Sequence, residues 1–452
     1  MKNKLMIMVY GSFCCSLLFL SCNKIIDVAT PQNQLTTRAV FADTTSTTAA
    51  MLNVYSLFDK TIDPNYNKWT GLYTDELSYP SSGAPQLEVH HSTLSVTNVY
   101  VKNAWANNYF AIYSCNDIIT QLQNAKNIPT SMVANLTGEA KFLRAYSYFY
   151  LVNTFGNIPL VLTTDINQTA KAAQSDSVSV YRQIIQDLTD AQNSLPSGYS
   201  GGIKIRATKW AAIALRSRVY LFQRDWTNAE ASATSVINSG NFTPLPSLTS
   251  VFLASSQEAI LQFGTQNGFI TDGPSLIAKS GALPTYPVTT TLLNAFEAGD
   301  QRKTNWLNSS TVGGTTYYYP FKYHNRVLNT SSPEYLVALR ASEQYLIRAE
   351  ARAELGNMTG AVQDLNVVRH RAGLPDLSSS LSQSACLTAV MQEWRVEFFT
   401  EWAHRFLDLK RTGRLNPVMT AYKPTWLPNA VLWPVPASEI ASDSNLKQNL
   451  GY

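Results

Sequence analysis

Three glutamates four residues apart, Glu393, Glu397 and Glu401, end in Glu401-Trp402-Ala403-His404, which has the Glu-x-x-His spacing that helical bundles use to hold a metal pair. Such a centre also needs a second helical motif and two further carboxylates. The other match in the chain, Glu88-Val89-His90-His91, reads as part of a loop among Ser, Thr and Pro. No metal site is therefore expected. Arg395, Arg405 and Arg411 interleave with these acids and Asp408 at helical spacing, so the expectation is ion pairs that fix helix packing. Asp75, Glu76, Asp272, Glu297 and Asp300 could supply paired carboxylates for glycosidic cleavage, but no motif selects two of them. The sequence has no Gly-x-Ser-x-Gly, HExxH, P-loop, strand-linked GxGxxG or CxxC pair, and neither an enzyme nor a cofactor is expected.

The aromatic residues promise more. Tyr, Trp and Phe make up 11% of the chain while charged residues make up 15%, a composition suited to gripping neutral polar ligands whose C–H faces stack on rings. Trp69, Tyr73 and Tyr79 fall in one Gly/Pro/Ser/Asn-rich stretch, and Tyr286, Trp306, Tyr317, Tyr318 and Tyr319 in another. Tyr79 and Trp306 rank first as stacking residues because polar or proline-containing sequence flanks them. Asn65, Asn67, Arg302 and Asn305 are the candidate hydrogen-bonding partners for hydroxyl groups. The competing reading for any one of these rings is a plug in a minor core.

Cys22 is the other chemically loaded position. Lys2 and Lys4 precede an apolar run from Leu5 to Leu20, and Leu20-Ser21-Cys22 closes it. This pattern predicts a lipoprotein signal over residues 1–21, with Cys22 lipidated after cleavage; the competing reading is a removed signal and an ordinary thiol. The run is too short to span a bilayer. The formal charge of +4 falls to about +2 without Lys2 and Lys4, and no block of five basic residues occurs, which argues against nucleic acid as partner. Cys115 and Cys386 lie in helix-like stretches and read as buried thiols, with a disulfide as the alternative.

These residues need a scaffold. Residues 22–42, rich in Thr, Gln and Asn, read as a tether, and 43–452 as one domain. Apolar spacing of three and four predicts helices at about 44–59, 98–124, 131–154, 176–194, 207–223, 226–238, 334–355, 358–371 and 384–404. Arg216 to Phe222, the turn Arg224-Asp225-Trp226, and Ala229 and Ala233 match Arg348 to Ala353, Leu355-Gly356-Asn357, and Ala361 and Leu365. Small residues after a short turn let antiparallel helices pack closely, as in tetratricopeptide-like pairs. The fold class is thus mainly α, a helix-pair scaffold with long irregular insertions at about 63–97 and 264–333, where the ligand site is expected. Strand-like runs appear at Ala259 to Phe263 and Thr315 to Tyr319.

Six ordered blocks carry a family resemblance. Gly138 to Tyr146, leading to Phe155-Gly156-Asn157-Ile158-Pro159-Leu160, is similar to an RAxxYFxLxxxFGxVPL segment. Arg340 to Ala351, Asn366 to Leu374, Glu393 to Gly413, Trp433 to Ile440 and Gln448-Asn449-Leu450-Gly451-Tyr452 resemble the remaining blocks. Trp394 stands where an arginine is usual, and Leu450 where a proline is. The chain resembles the SusD/RagB family of outer-membrane nutrient-binding lipoproteins. The resemblance implies a SusD-like fold, a lipid anchor at the outer membrane, and a surface lid that captures an oligosaccharide or similar oligomer for a SusC-like TonB-dependent transporter. A surface glycoside hydrolase and a lid with little ligand affinity are the alternatives.

Overall fold

The computed structural model describes residues 37–452, so the expected signal, Cys22 and most of the expected tether lie outside the described residues. Residues 37–42, expected to close the tether, hold a helical turn at Thr37–Val40 and a buried Phe41. The fold is mainly α. Helix α1 (Thr44–Leu57) starts at Asp43, whose carboxylate accepts from the backbone N–H of Thr45 at 2.8 Å and Ser46 at 3.0 Å, satisfying two donors that the first turn leaves open. Helices α2 (Val99–Gln123), α3 (Thr130–Phe155) and α4 (Ser177–Ser194) follow, with α3 between the other two. Since α3 is buried on nearly every side from Leu136 to Phe155, it carries apolar and aromatic residues all round rather than along one stripe.

The two similar helix pairs are α5 (Lys209–Phe222) with α6 (Trp226–Asn238), and α7 (Ala341–Glu354) with α8 (Met358–Arg371). Their turns are built alike. Arg224 (φ 58°) and Gly356 (φ 83°) take the left-handed conformation, and Asp225 and Asn357 then cap the second helix by accepting from Asn228 N–H and Gly360 N–H. The pairs also meet in space, α6 against α7, around Ala229, Ala233, Ala349 and Ala361. Ser217 Oγ donates to Gln344 Oε1 at 2.6 Å across 127 positions of sequence.

The expected helix 334–355 begins instead as strand β4 (Leu336–Arg340), antiparallel to β1 (Ala259–Phe263), with Phe263 opposite Leu336. Both strands are buried on both faces, so their apolar residues run on without the alternation that marks a half-buried strand. The expected helix 384–404 stops at Glu397 (α9, Gln383–Glu397); a turn follows, then α10 (His404–Arg411). Thr400 (φ 52°), Trp402 (φ 45°) and Ala403 (φ 60°) hold that turn in the left-handed region, which costs roughly 1–2 kcal/mol per non-glycine residue. Three backbone donors offset the cost: Thr400 N–H to Glu76 Oε2 (3.2 Å), Trp402 N–H to Asn67 Oδ1 (2.5 Å) and Ala403 N–H to the Tyr66 carbonyl (2.5 Å).

That turn thereby fastens the first insertion, which is more helical than its composition suggests: a π-helical turn at Phe58–Ile62 leads into it, and a second at Asn65–Trp69 and short helices at Thr70–Tyr73 and Ala84–His91 lie within it. The second insertion contains a hairpin, β2 (Leu307–Val312) and β3 (Thr315–Pro320), which turns on Gly313 and Gly314, both at positive φ as a two-residue hairpin turn requires. Cys115 and Cys386 are buried free thiols. Among the described residues, no helix is long and apolar enough to cross a membrane.

Candidate ligand-binding site

Several residues singled out by sequence prove to be core. Trp306 is 1% exposed, donates its indole N–H to the Leu248 carbonyl at 3.0 Å, and has Lys322 Nζ 4.8 Å from its ring. Tyr73 is fully buried, its hydroxyl donating to the Ala430 carbonyl at 2.8 Å, with Phe406, Trp426 and Trp433 edge-on around it. Neither ring can present a face to a ligand, which corrects the leading rank given to Trp306. Asn305 spends its amide on the Gln301 carbonyl at 2.7 Å. Asn67 takes the turn contact described above, and Asn65 donates to the Thr61 carbonyl at 2.9 Å.

Arg302 lies in a buried charge knot. Its guanidinium reaches Asp300 (2.8 Å), Glu393 (2.8 Å) and Glu397 (3.1 Å), while Arg340 reaches Glu397 (2.5 Å), Glu401 (2.9 Å) and Glu258 (3.0 Å). Burial works to raise the Glu397 carboxyl, but Arg371, Arg340 and Arg302 outweigh it and hold the group well below its ordinary value. The expected pairing of Glu393, Glu397 and Glu401 with Arg395 and Arg405 is corrected: their partners come from β4, α8 and the second insertion, and of the three arginines Arg411 alone pairs within the run, with Asp408. Glu401 faces Lys322 and Arg340, whereas His404 stacks on Trp394. Glu88, on a helix and not in a loop, accepts from Ser95 and Asn98. Among the described residues, no group of three His, Cys, Asp or Glu side chains is arranged to hold a metal ion.

The five acids considered for hydrolysis are also engaged. Asp75 pairs with Arg395 and Arg405, Asp272 with Lys68, Glu297 with Arg369, and Asp300 with Arg302. Glu76 is buried, and burial followed by the Asp75 charge lifts its pKa to about 7.

A different set of rings converges where the two insertions meet. Leu77 bridges Val288 in antiparallel fashion; Ser78 N–H donates to the Pro287 carbonyl (2.8 Å) and Thr289 N–H to the Glu76 carbonyl (3.0 Å). This pairing lays Tyr79 on Tyr286, with ring centroids 5.7 Å apart and planes at 21°. Trp69, held by the 400–403 turn, meets Tyr286 edge-on at 5.8 Å and Tyr100 at 3.8 Å. Tyr100 sits in the first turn of α2, positioned by Asn98: Oδ1 accepts from Tyr100 N–H (2.9 Å) while Nδ2 donates to Glu88 (2.8 Å) and the Pro85 carbonyl (3.1 Å). Lys68 Nζ lies 4.7 Å over Trp69 and 2.6 Å from Asp272.

Trp69 and Tyr286, each 5% exposed, form the floor of this shelf, and the half-buried Tyr79 and Tyr100 form its upper rings. Among the described residues, the hydroxyls of Tyr79, Tyr100 and Tyr286 find no hydrogen-bond partner in the chain, in contrast to Tyr73 and Tyr66. Burial, then the neighbouring Tyr79, raises the Tyr100 hydroxyl; burial, then Tyr100 and Tyr79, raises that of Tyr286, so these two remain neutral donors and acceptors. Tyr317 and Tyr318 are half-buried on β3, and the Tyr318 carbonyl accepts from Val288 N–H at 2.7 Å, tying the hairpin to the shelf segment. Sequence reasoning placed Tyr79, Trp69 and Tyr286 in loops but passed over Tyr100 as helix interior. The capping Asn98 before it was the available signal.

Residues 30–221 match a family model described as SusD-like, starch-binding associating with outer membrane, and residues 288–452 match the SusD family model. A SusD-like protein of Formosa agariphila is 23% identical, covering 77% of this chain and 78% of its own. The starch-binding protein SusD of Bacteroides thetaiotaomicron is 24% identical, covering 70% and 72%. Among solved structures, a SusD superfamily protein of Bacteroides vulgatus superposes with a TM-score of 0.81 at 20% identity, over 91% of this chain and 99% of that one. A laminarin-binding SusD-like protein does so at 0.77 and 25% identity, over 91% and 100%.

Proposed function

The chain belongs to the SusD/RagB family, and on that premise we propose that it captures a neutral oligosaccharide on the Trp69–Tyr79–Tyr100–Tyr286 shelf and hands it to a SusC-like TonB-dependent transporter, without cutting it. The carrying observation is the set of tyrosine hydroxyls left without protein partners beside stacked rings. Sugar rings offer C–H faces to aromatic planes and hydroxyls to such groups. Carbohydrate binding is the function that SusD-like relatives support at family level, and starch and laminarin are the glycans in the names of two of them. With each stacking contact contributing about 0.5–1.5 kcal/mol, a few contacts give roughly micromolar to millimolar affinity, which suits capture followed by release. Lipidation at Cys22 and seating at the outer-membrane surface complete the reading, as the family description of outer-membrane association supports.

The test is affinity electrophoresis through gels containing starch, laminarin or other neutral glucans, with wild type beside Tyr79→Ala and Tyr286→Ala. Retardation on one glycan, lost in both variants, is expected. Free migration of the wild type through every gel, or equal retardation of all three proteins, overturns the proposal. Release of reducing ends by the wild type would favour a hydrolase instead.

A further inference from the structure

A second concavity, sharing no lining residue with the shelf, opens between α9, α10 and the helix Leu415–Tyr422. It encloses about 510 Å³, within the usual range of small-ligand pockets. Three guanidinium groups line it, Arg395, Arg405 and Arg414, against one carboxylate, Asp75. Arg405 grips Asp75 with Nε at 2.7 Å and Nη2 at 2.7 Å, and Arg395 adds Nη2 at 2.9 Å. Nη1 of Arg405, Nε and Nη1 of Arg395 and the whole Arg414 fork then have no acceptor among the described residues.

We propose that this cavity binds a monosaccharide-sized oxyanion, a carboxylate or sulfate carried on a polar ring. Asp75, with the charge of Glu76 also acting on Arg395 and Arg405, faces three forks, so the cavity keeps a net positive charge, and the guanidinium fork matches planar oxyanions with paired N–H donors. Burial, and after it the neighbouring Arg405, pulls Arg395 below its ordinary pKa although Asp75 touches it; an arriving anion relieves that crowding. Thr291 offers a hydroxyl for ring hydroxyls and Tyr422 a ring face, whereas the Gln392 amide N–H is already given to the Ala295 carbonyl at 2.5 Å. The neutral shelf and this basic cavity thus divide two chemistries between two places.

Isothermal titration with sodium D-glucuronate, D-glucose 6-sulfate and D-glucose at matched ionic strength tests the site in wild type, Arg414→Ala, Val418→Trp and Tyr79→Ala. Arg414 is exposed and unpaired, so its removal leaves folding intact. Saturable binding of at least one anion and none of glucose is expected, weakened about tenfold or more in Arg414→Ala, lost in Val418→Trp, whose bulk fills the cavity, and kept in Tyr79→Ala. Preference for glucuronate or for the sulfate identifies the group. Absence of saturable binding for both anions, equal binding of glucose, or full binding by Arg414→Ala overturns the proposal. Because the probes are charged monosaccharides and Tyr79→Ala retains them, failure here is distinct from failure of the shelf.

Discussion

The charge knot around Arg302 and the shelf around Tyr79 both draw rings and polar groups from the second insertion, Trp306 and Arg302 for one and Tyr286 for the other, yet they do opposite things. In the knot the central donors meet acceptors: Trp306 has its carbonyl, Arg302 three carboxylates, and Lys322 is held by Glu401 and the carbonyls of Glu397 and Phe399, while at its edge Arg371 Nε is left without one. On the shelf, three hydroxyls have no such partner. Residue type does not distinguish site from scaffold here; satisfaction does. A polar group already paired within the fold has nothing left to offer a ligand.

The largest effect should come from breaking the knot. Arg302→Ala leaves Asp300, Glu393 and Glu397 buried without one of their cations, at about 3–5 kcal/mol, and Trp306→Ala costs about as much by opening a cavity. Denaturant unfolding measures both, and the folded fraction of each should still be retarded in a glycan gel. A Trp306→Ala protein of wild-type stability that no longer binds glycan would break the comparison.

Glu76 lies between the two regions, its carboxylate accepting from the strained turn that fastens Trp69. Its folded pKa of about 7 is above the unfolded value near 4.5, so the stability it contributes is complete below about pH 4.5 and lost as the pH rises through 7. Glu76→Gln removes this slope: relative to the variant, wild type should lose about 2–3 kcal/mol between pH 5 and 8 in unfolding titrations. A parallel pair of curves would show that the carboxyl is already ionised in the fold.

Smaller effects probe the shelf. Asn98→Ala removes the α2 cap at about 1 kcal/mol and frees Tyr100, so it should weaken glycan retention as well as stability. Tyr79→Phe keeps the ring and deletes one hydroxyl; about 0.5 kcal/mol, roughly a twofold rise in Kd, with unchanged unfolding is expected. No change in retention would mean that stacking alone carries this ring.

Much of the helical scaffold could be read from local periodicity because its signals are local: caps at Asp43, Asp176, Asp225 and Asn357, and apolar spacing along α2, α6 and α8. β4 could not be separated from a helix, since four buried apolar residues in a row fit both periods. The break after Glu397 was hidden because its left-handed residues are Thr, Trp and Ala, held by contacts to Tyr66, Asn67 and Glu76 more than 300 positions away. Trp306 misled for a similar reason: the residues before it, Gln301 to Asn305, are polar, and its partners Leu248, Lys322 and Arg340 lie 16 to 58 positions away. The shelf was half visible, as loop tyrosines, but their pairing depends on the Leu77–Val288 bridge, which no local pattern announces.

The packing of α6 on α7 also bears on how the molecule is assembled. Roughly 100 residues separate Asn238 from Ala341, and a growing or translocating chain delivers its N-terminal portion first. Until that intervening length has arrived and collapsed, the stripe of Ala229, Ala233 and Ile237 has α5 beside it but lacks the cover of α7. The half-delivered polypeptide is consequently the species most apt to stick to others, and fragments ending before residue 341 should need a holdase to stay in solution.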